Sequence, residues 1–459
     1  MIVSINPATG QPIGRFDLHS PAEIDAALDN AVAAQRQWRQ TSHETRAALL
    51  TRFAAVLRRE RDALAAIITA EMGKPIGEAV AEVEKCALNC DFYAGAAAAM
   101  LADAPVAGVP GAMVAHEPLG VVLAIMPWNY PLWQVVRFLA PAFAAGNGAI
   151  LKHAANVPEC AMALERLVTE AGAPAGLFAN LRVEPATVAK LIADPRIAAV
   201  TLTGSTEVGM IVAGQAGASL KKQVLELGGS DPFVVLADAD IALAAEKAVT
   251  ARFTNGGQSC VNAKRFIVVD AVADQFIDAF AAAARRLVMG DPTASATTLG
   301  PLARENLRAT IDGQVQRSIA AGAGLVMGGV LPEGPGFFYP ATLLDGVTPG
   351  MAAFDEETFG PAAAIIRARN EDEAIDLANR TAFGLGASIW TRDNDRGLAL
   401  ARRVDAGCVF VNAMVASDPR VPFGGIKMSG YGRELGDLGL KEFTNAKTIR
   451  CPAPAEKAA

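Results

Sequence analysis

A cysteine that follows two glycines is the first candidate for chemistry in this sequence. Gly256, Gly257 and Cys260 come directly after a helical pattern, and glycines allow the backbone to approach a bound molecule closely. A thiolate in such a place attacks carbonyl carbon well. The alternative is that Cys260 is simply another buried cysteine. Residues 254–260, the cysteine turn, therefore form a candidate nucleophile site.

Two further side chains have the types that carbonyl chemistry at a thiol needs. Glu226 lies between Leu225 and Leu227, and apolar flanks should raise the pKa of its carboxyl and suit it to general base catalysis. Asn129 lies between two prolines, and a rigid backbone there would fix its amide as a donor to a developing oxyanion. The alternatives are a solvated glutamate at a strand end and a plain proline-rich turn.

A fourth motif, Thr203–Gly209, follows a strand pattern and opens a helix. The N–H groups of such a helix start can bind a phosphate. The motif lacks the G-x-G-x-x-G fingerprint, and a plain capped helix start also explains it.

The elements that must position these residues alternate between strand and helix from about residue 119. Strand patterns at 120–126, 149–151 and 198–202 alternate with helical patterns at 133–144, 158–170 and 208–216. A second such series begins near Pro232. This alternation predicts two α/β domains with mostly parallel sheets and a cleft between them. The preceding residues, 21–104, are helical in pattern, with Ser20 as the first N-cap.

Composition excludes several functional classes. The 459 residues carry 41 Lys+Arg against 48 Asp+Glu, a net charge of -7 with no basic block, which argues against nucleic acid or an anionic membrane as a partner. The six cysteines are scattered and the four histidines show no metal-ligand spacing, so we expect a reducing compartment and no metal site. No apolar run spans a bilayer and no signal peptide is visible, which favours the cytoplasm.

In this order and spacing, the motifs resemble the aldehyde dehydrogenase superfamily over nearly the whole chain. The matching pieces are Pro127-Trp128-Asn129, Lys152, Gly204-Ser205 with Gly209, Glu226-Leu227-Gly228-Gly229, Gly257-Gln258-Ser259-Cys260, Glu357-Thr358-Phe359-Gly360-Pro361 and Pro422–Gly430 with Gly432-Arg433-Glu434. The resemblance implies an α/β subunit of three parts. These are a Rossmann-like NAD(P)-binding domain (1–104 and 119–227), a catalytic domain (228–430) and a small β oligomerisation flap (105–118 and 431–459).

The resemblance also implies roles for individual residues. Cys260 would add to the aldehyde, the Asn129 amide and the Cys260 N–H would hold the oxyanion, and Glu226 would activate water to release the acid. The residues implied to bind the cofactor are Pro127, Trp128, Lys152, Ala155, Gly204, Ser205, Leu227, Glu357 and Phe359.

Ala155 bears on the choice of cofactor. NAD-dependent members often carry a glutamate at this position, whose carboxylate would repel a 2′-phosphate. Ala155 removes that repulsion, and Lys152 could pair with the phosphate. We therefore expect NADP, with NAD tolerated, unless residues 153–155 carry no information on preference.

The local sequence around these motifs is most similar to that of bacterial succinate-semialdehyde dehydrogenases. In that branch the positions of Arg137 and Ser417 bind the distal carboxylate of the substrate, and we place Trp133 in the same pocket. Arg137 falls about two helical turns after Asn129, so it could point into the same tunnel. Thr254 stands where some relatives carry a second arginine, which weakens this expectation. Asn262 stands where some carry a second cysteine, so no local disulfide is expected.

Other interpretations stay open at this point. The substrate could be glutarate semialdehyde or an aliphatic aldehyde. A CoA-acylating enzyme is disfavoured by the presence of Glu226, and a non-catalytic scaffold would have been free to lose the three catalytic residues. The resemblance further implies a homodimer or homotetramer in which 105–118 and the strand near Phe443–Arg450 pair across a dimer.

Overall fold

The computed structural model describes residues 1–451, and the N-terminal part is mainly helical. Its elements are β1 (Ile2–Asn6), β2 (Gln11–Phe16), α1 (Pro21–Trp38), α2 (His43–Arg59), α3 (Arg61–Met72) and α4 (Ile76–Met100). Ser20 caps α1 as predicted, since its hydroxyl accepts from the Glu23 N–H while the Glu23 carboxylate accepts from the Ser20 N–H. The helical region predicted over 21–104 is confirmed, and it is divided between α2 and α3 at Glu60, because the charged stretch around Glu60 interrupts the buried stripe.

The next part of the chain builds the first large sheet and its helices. Its elements are β3 (Ala104–Pro105), β4 (Ala112–Pro118), β5 (Val121–Met126), α5 (Trp133–Ala145), β6 (Gly148–His153), α6 (Pro158–Glu170), β7 (Phe178–Asn180), α7 (Pro185–Ala193), β8 (Ile197–Thr203), α8 (Thr206–Ala218) and β9 (Lys222–Glu226). The predicted alternation from residue 119 is confirmed, although β7, α7 and β9 were not predicted.

The last part builds the second large sheet and then returns to the first. Its elements are β10 (Asp231–Val235), α9 (Ile241–Phe253), β11 (Ala263–Val269), α10 (Asp270–Ala284), α11 (Glu305–Ala320), β12 (Gly324–Met327), β13 (Thr342–Asp345), α12 (Ala352–Asp355), β14 (Ala362–Ala368), α13 (Glu371–Asn379), β15 (Gly386–Trp390), α14 (Asn394–Ala401), β16 (Cys408–Val411), β17 (Gly430–Tyr431), α15 (Gly436–Glu442) and β18 (Thr444–Arg450). The expected fraying of the tail falls mostly on 452–459, outside the described residues.

The strands of residues 1–451 form two large sheets, as predicted. The first has the order β17-β9-β8-β5-β6-β7, parallel except for β17, and the second has the order β12-β13-β14-β11-β10-β15-β16, parallel except for β12. Two smaller antiparallel sheets have the orders β18-β4-β3 and β1-β2. The fold class inferred from the strand–helix alternation is therefore confirmed.

The two segments expected to form the oligomerisation flap meet within one chain. Strands β4 and β18 pair with each other, from Thr444 opposite Pro118 to Arg450 opposite Ala112, and the expectation that 105–118 and the strand near Phe443–Arg450 pair across a dimer stays a prediction. Strand β17 joins the first sheet by pairing with β9, and α15 packs against α5 beside the same sheet. Of the strands downstream of residue 429 in the described part, β17 belongs to the first sheet and β18 to the sheet β18-β4-β3.

The topology explains where a site can form. Strands β5, β8 and β9 are parallel neighbours, so Asn129, Gly204 and Leu227 all follow the same edge of the first sheet. Cys260 and Glu357 precede the parallel neighbours β11 and β14, at the opposite edge of the second sheet. The short linker from β9 to β10 brings these two edges together, as crevices at strand ends do in α/β folds.

Candidate active site

One cavity of about 220 Å³ lies between the carboxyl edge of the first sheet and the amino edge of the second. Its lining comes from both sheets: Pro127, Trp128, Asn129, Thr203, Gly204, Ser205, Leu227, Gly228, Cys260, Arg304, Leu307, Glu357 and Phe359. The predicted nucleophile, the predicted oxyanion donor and seven of the nine predicted cofactor residues therefore share one space.

The cysteine turn has an unusual backbone. Asn255, Gly256 and Gly257 all have positive φ, at 59°, 62° and 73°. A Cβ on Gly257 would lie 2.3 Å from the Gly360 carbonyl oxygen, so no other residue fits there. The Asn262 side chain donates to the Ala251 carbonyl and to its neighbour in α9, and these bonds hold the turn onto the end of that helix.

The Cys260 thiol is half-buried and protonated at rest. Burial raises its pKa to about 12, and the positive charges of Arg137 and Lys264 lower it only in part. The Lys264 ammonium is turned toward the backbone, where it donates to the Cys260 carbonyl at 2.9 Å. A base must therefore remove the thiol proton before or during attack.

Asn129 is fixed against the cysteine turn. Its side-chain Nδ2 donates to the Gln258 backbone carbonyl at 3.1 Å, and its backbone carbonyl accepts from the Asn255 side-chain Nδ2 at 2.8 Å. Since an amide nitrogen carries two hydrogens, one stays available at the cavity beside Cys260. This placement suits an oxyanion donor, the role predicted for Asn129.

Glu226 is buried behind the cavity, at the end of β9. Within residues 1–451 neither of its carboxylate oxygens has a hydrogen-bond partner. Burial, followed by the nearby charge of Glu434, raises the pKa of its carboxyl well above the usual range. Its apolar flanks predicted this direction. A buried, unpartnered carboxyl with a raised pKa has the properties of a general base that binds water.

Arg137 is placed in a way that the sequence did not indicate. It is 2% exposed, forms an ion pair with Glu434, donates from Nη2 to Thr203 Oγ1 at 3.3 Å and lies over the Phe423 ring. It does not line the cavity. The predicted contact with a substrate carboxylate stays a prediction, and the structure adds that Glu434 already balances this charge.

The other two predicted substrate residues meet at a lysine that sequence reasoning missed. Lys85 of α4 donates to Ser417 Oγ at 2.7 Å, and its ammonium lies 4.4 Å from the centroid of the Trp133 ring. No motif marks Lys85, since it lies in a helical stretch rich in charged residues.

Two acids of α4, also missed, support the catalytic loops. Glu78 Oε2 accepts from the Asn255 N–H at 2.7 Å. Glu82 Oε1 accepts from the N–H groups of Leu132 and Trp133 at 2.9 and 3.0 Å, and its Oε2 is paired with the buried Lys74. Their spacing of four residues places both on one helical face.

The remainder of the cavity has groups that fit a dinucleotide. Ser205 caps α8, whose first N–H groups suit a phosphate. The Glu357 carboxylate, held by the Gly229 N–H at 2.9 Å, suits ribose hydroxyls, and the Trp128 and Phe359 rings meet edge to face at 5.8 Å. A Cβ on Gly228 would lie 2.5 Å from Glu357 Oε2, so the glycine pair is needed to seat this carboxylate.

Lys152 and Ala155 lie outside the lining of this cavity, at the carboxyl end of β6. Lys152 is half-buried, and burial lowers the pKa of its ammonium. Ala155 is exposed. Neighbouring His153 is buried with a pKa lowered to about 4 by burial, so it adds no charge near a phosphate.

Two kinds of feature are absent from residues 1–451. No group of three or more His, Cys, Asp and Glu side chains is arranged to hold a metal ion there. No helix in that range combines the length and apolar character that crossing a bilayer requires. All six cysteines fall within the described residues, and each is a free thiol.

A sequence model of the aldehyde dehydrogenase family matches residues 1–449. The chain belongs to the aldehyde dehydrogenase family. Motif order had predicted this membership, and the shared cavity of Cys260 and Asn129 is consistent with it.

Individual relatives of this aldehyde dehydrogenase cover almost its full length. A probable succinate-semialdehyde dehydrogenase [NADP(+)] of Synechocystis is 49% identical over 98% of this chain and 99% of its own. The succinate semialdehyde dehydrogenase [NAD(P)+] of Escherichia coli K12 is 48% identical over 97% of each chain. A structure of the Streptococcus pyogenes succinic semialdehyde dehydrogenase in complex with NADP+ superposes with a TM-score of 0.96. That protein is 39% identical over 98% of this chain and 100% of its own.

Proposed function

We propose that this aldehyde dehydrogenase oxidises succinate semialdehyde to succinate with NADP as the preferred cofactor and NAD tolerated. The observation that carries the proposal is the convergence of Cys260, Asn129, Glu357 and Phe359, from two sheets, on one cavity. The names of full-length relatives near 48% identity support the substrate and the cofactor.

Cys260 and Asn129 perform the first step. The thiol adds to the aldehyde carbon, and its proton, held by a pKa of about 12, must pass to a neighbouring base. Glu226 is the candidate because its charge acts on Cys260 and its oxygens are unpartnered in the described residues. The developing oxyanion accepts from the free Nδ2 hydrogen of Asn129 and from the Cys260 N–H.

Glu226 performs the second step. A nicotinamide held beside Glu357 and Phe359 would supply the hydride acceptor, and loss of hydride from the thiohemiacetal would leave a thioester on Cys260. Glu226, whose pKa burial raises well above its usual range, deprotonates a water that attacks this thioester and releases the acid. Glu226 needs unpartnered oxygens for this role. A base that activates water favours hydrolysis of the thioester over its transfer to CoA, so a CoA-acylating reaction is disfavoured.

The preference for NADP is supported by the absence of a carboxylate at residue 155, three residues after Lys152. No carboxylate stands at residue 155, so a 2′-phosphate meets no like charge from that side chain. The half-buried Lys152 ammonium would supply the pairing charge. NAD, which lacks the phosphate, is accepted with lower affinity.

The proposal includes a homodimer, or a homotetramer built from dimers, as the working state. Strand β18 lies at the edge of its sheet and pairs only with β4 within residues 1–451. An exposed edge of this kind pairs readily with another strand. Light scattering at micromolar concentration tests this part, and a single monomeric peak would contradict it.

A steady-state matrix tests the proposed reaction. Succinate semialdehyde, glutarate semialdehyde and butanal are each offered with NADP and with NAD, and reduced cofactor is followed by absorbance. We expect kcat/KM to be highest for succinate semialdehyde with NADP. Equal or higher values for butanal would reject the acid-aldehyde substrate but keep the family chemistry. A Cys260→Ala variant serves as the inactive control.

A further inference from the structure

Lys85 is a cation that faces the proposed substrate residues without a carboxylate partner. Its Nζ donates to Ser417 Oγ at 2.7 Å and lies over the Trp133 ring. Within residues 1–451 no Asp or Glu oxygen lies within 4.0 Å of its ammonium, although the side chain is partly buried. A buried charge without a counter-ion is costly and favours an anionic ligand.

The neighbouring charges do not remove this deficit. The two acids whose charges act on Lys85 are paired elsewhere, Glu82 with Lys74 and Asp418 with Arg420. Arg137, from α5, adds a second positive charge on the same side, and it is itself balanced by Glu434.

The position of Lys85 along α4 relates it to the nucleophile. Glu78 contacts the cysteine turn, Glu82 contacts the start of α5, and Lys85 is the next residue on that face. The helical rise from Glu78 to Lys85 is about 10 Å, so Lys85 lies about two turns along α4 from the residue that contacts the cysteine turn. Lys85, Trp133 and Ser417, like Arg137, lie outside the lining of the cavity that holds Cys260.

Thr254, the first residue of the cysteine turn, supplies no second cation. The Thr254 hydroxyl donates to the Thr250 carbonyl of its own helix and offers no charge.

We infer that Lys85, together with Ser417, binds the distal carboxylate of the substrate and sets the preference for an acid aldehyde over an uncharged one. This inference rests on the proposed function, because it assumes a substrate with a distal carboxylate. Lys85 is then the cation near Ser417 and Trp133 that has no carboxylate partner in the described residues, since Arg137 is paired with Glu434.

The protonation of Lys85 gives the inference a pH signature. Burial first, then the charge of Arg137, lowers its pKa to about 8, while Glu82, Cys86 and Asp418 raise it. Above that pH the free enzyme loses the cation. The KM for succinate semialdehyde should therefore rise on the alkaline side, whereas the KM for butanal should not follow.

The test compares Lys85→Met, which keeps the length of the side chain, with Lys85→Arg and with Lys190→Met, an exposed helical lysine elsewhere. We expect Lys85→Met to lower kcat/KM for succinate semialdehyde by about 10-fold to 100-fold, mainly through KM. The loss for butanal should be at least tenfold smaller. Lys85→Arg should retain most of the selectivity and abolish the alkaline rise in KM, and Lys190→Met should match the wild type.

Inhibition by succinate supplies a second readout that needs no turnover of the acid aldehyde. Succinate should inhibit butanal oxidation by the wild type and do so about tenfold more weakly in Lys85→Met. Equal losses on both aldehydes, with unchanged inhibition by succinate, would overturn the inference and make Lys85 a structural partner of Trp133. If the wild type itself does not prefer succinate semialdehyde, the proposed function fails. Inhibition by succinate then decides separately whether Lys85 binds a carboxylate.

Discussion

Replacing Glu82 tests whether α4 holds the catalytic loops in place. Its carboxylate accepts from two backbone N–H groups at the start of α5 and is paired with Lys74, whose side chain is 0% exposed. Glu82→Gln keeps an acceptor for the N–H groups but leaves the Lys74 charge buried and unpaired. Glu82→Ala removes the acceptor as well.

The expected magnitudes follow from these contacts. An uncompensated buried partner costs about 3–5 kcal/mol, and each N–H left without an acceptor adds about 1–3 kcal/mol. At about 2.1 cal/mol/K per residue, the unfolding entropy of a chain of 459 residues converts 1 kcal/mol into about 1 °C. We therefore expect the Tm to fall by about 3–5 °C for Glu82→Gln and by about 5–10 °C for Glu82→Ala.

Tryptophan fluorescence at a fixed heating rate measures these shifts, with kcat/KM followed in parallel. Lys74→Met/Glu82→Gln is the matched control, because it removes both charges and should recover most of the Tm lost by Glu82→Gln. A shift of under about 1 °C for Glu82→Gln would refute the reasoning. So would a double variant that is no more stable than the single one.

Three further predictions concern the reacting groups and the cofactor. Glu226→Gln should lower both the steady-state rate, by about 10²–10⁴, and the burst of reduced cofactor in stopped-flow, because Glu226 is the candidate base for the thiol as well as for the water. An intact burst of about one per site would show that only thioester hydrolysis needs this carboxyl. Because the pKa of Cys260 is raised to about 12, inactivation of the free enzyme by iodoacetamide should rise about tenfold per pH unit between about pH 7 and pH 10, and a plateau in that range would contradict a protonated resting thiol. Ala155→Glu should lower kcat/KM with NADP by about tenfold or more through repulsion of the 2′-phosphate, with Ala155→Gln as the uncharged control and an equal loss with NAD as the contrary result.

Local pattern was sufficient for most of the elements around the site. Helix α6 (Pro158–Glu170) begins and ends at the residues predicted, because it has a clear periodicity and a Pro at its start. Strands β7 and β9 escaped prediction. The first is three residues long, and the second begins with two polar residues that give no strand signal.

The sequence by itself determined the chemistry. Cys260 after its glycines, Asn129 between prolines and Glu226 between leucines each have a local reason to be suited to their roles, and their order in the chain identified the family. Ala155 likewise bears on cofactor choice through the mere absence of a carboxylate.

Only the tertiary structure decided which charges meet. Arg137 was expected to be a substrate contact, and its pairing with Glu434 follows from the return of the chain to the first sheet after the second is complete. Lys85 and Ser417 are 332 residues apart and share no motif. Ion pairs and hydrogen bonds of this kind depend on how separate elements pack. Side-chain periodicity encodes which face of a helix is buried, but it does not encode the partner that covers it.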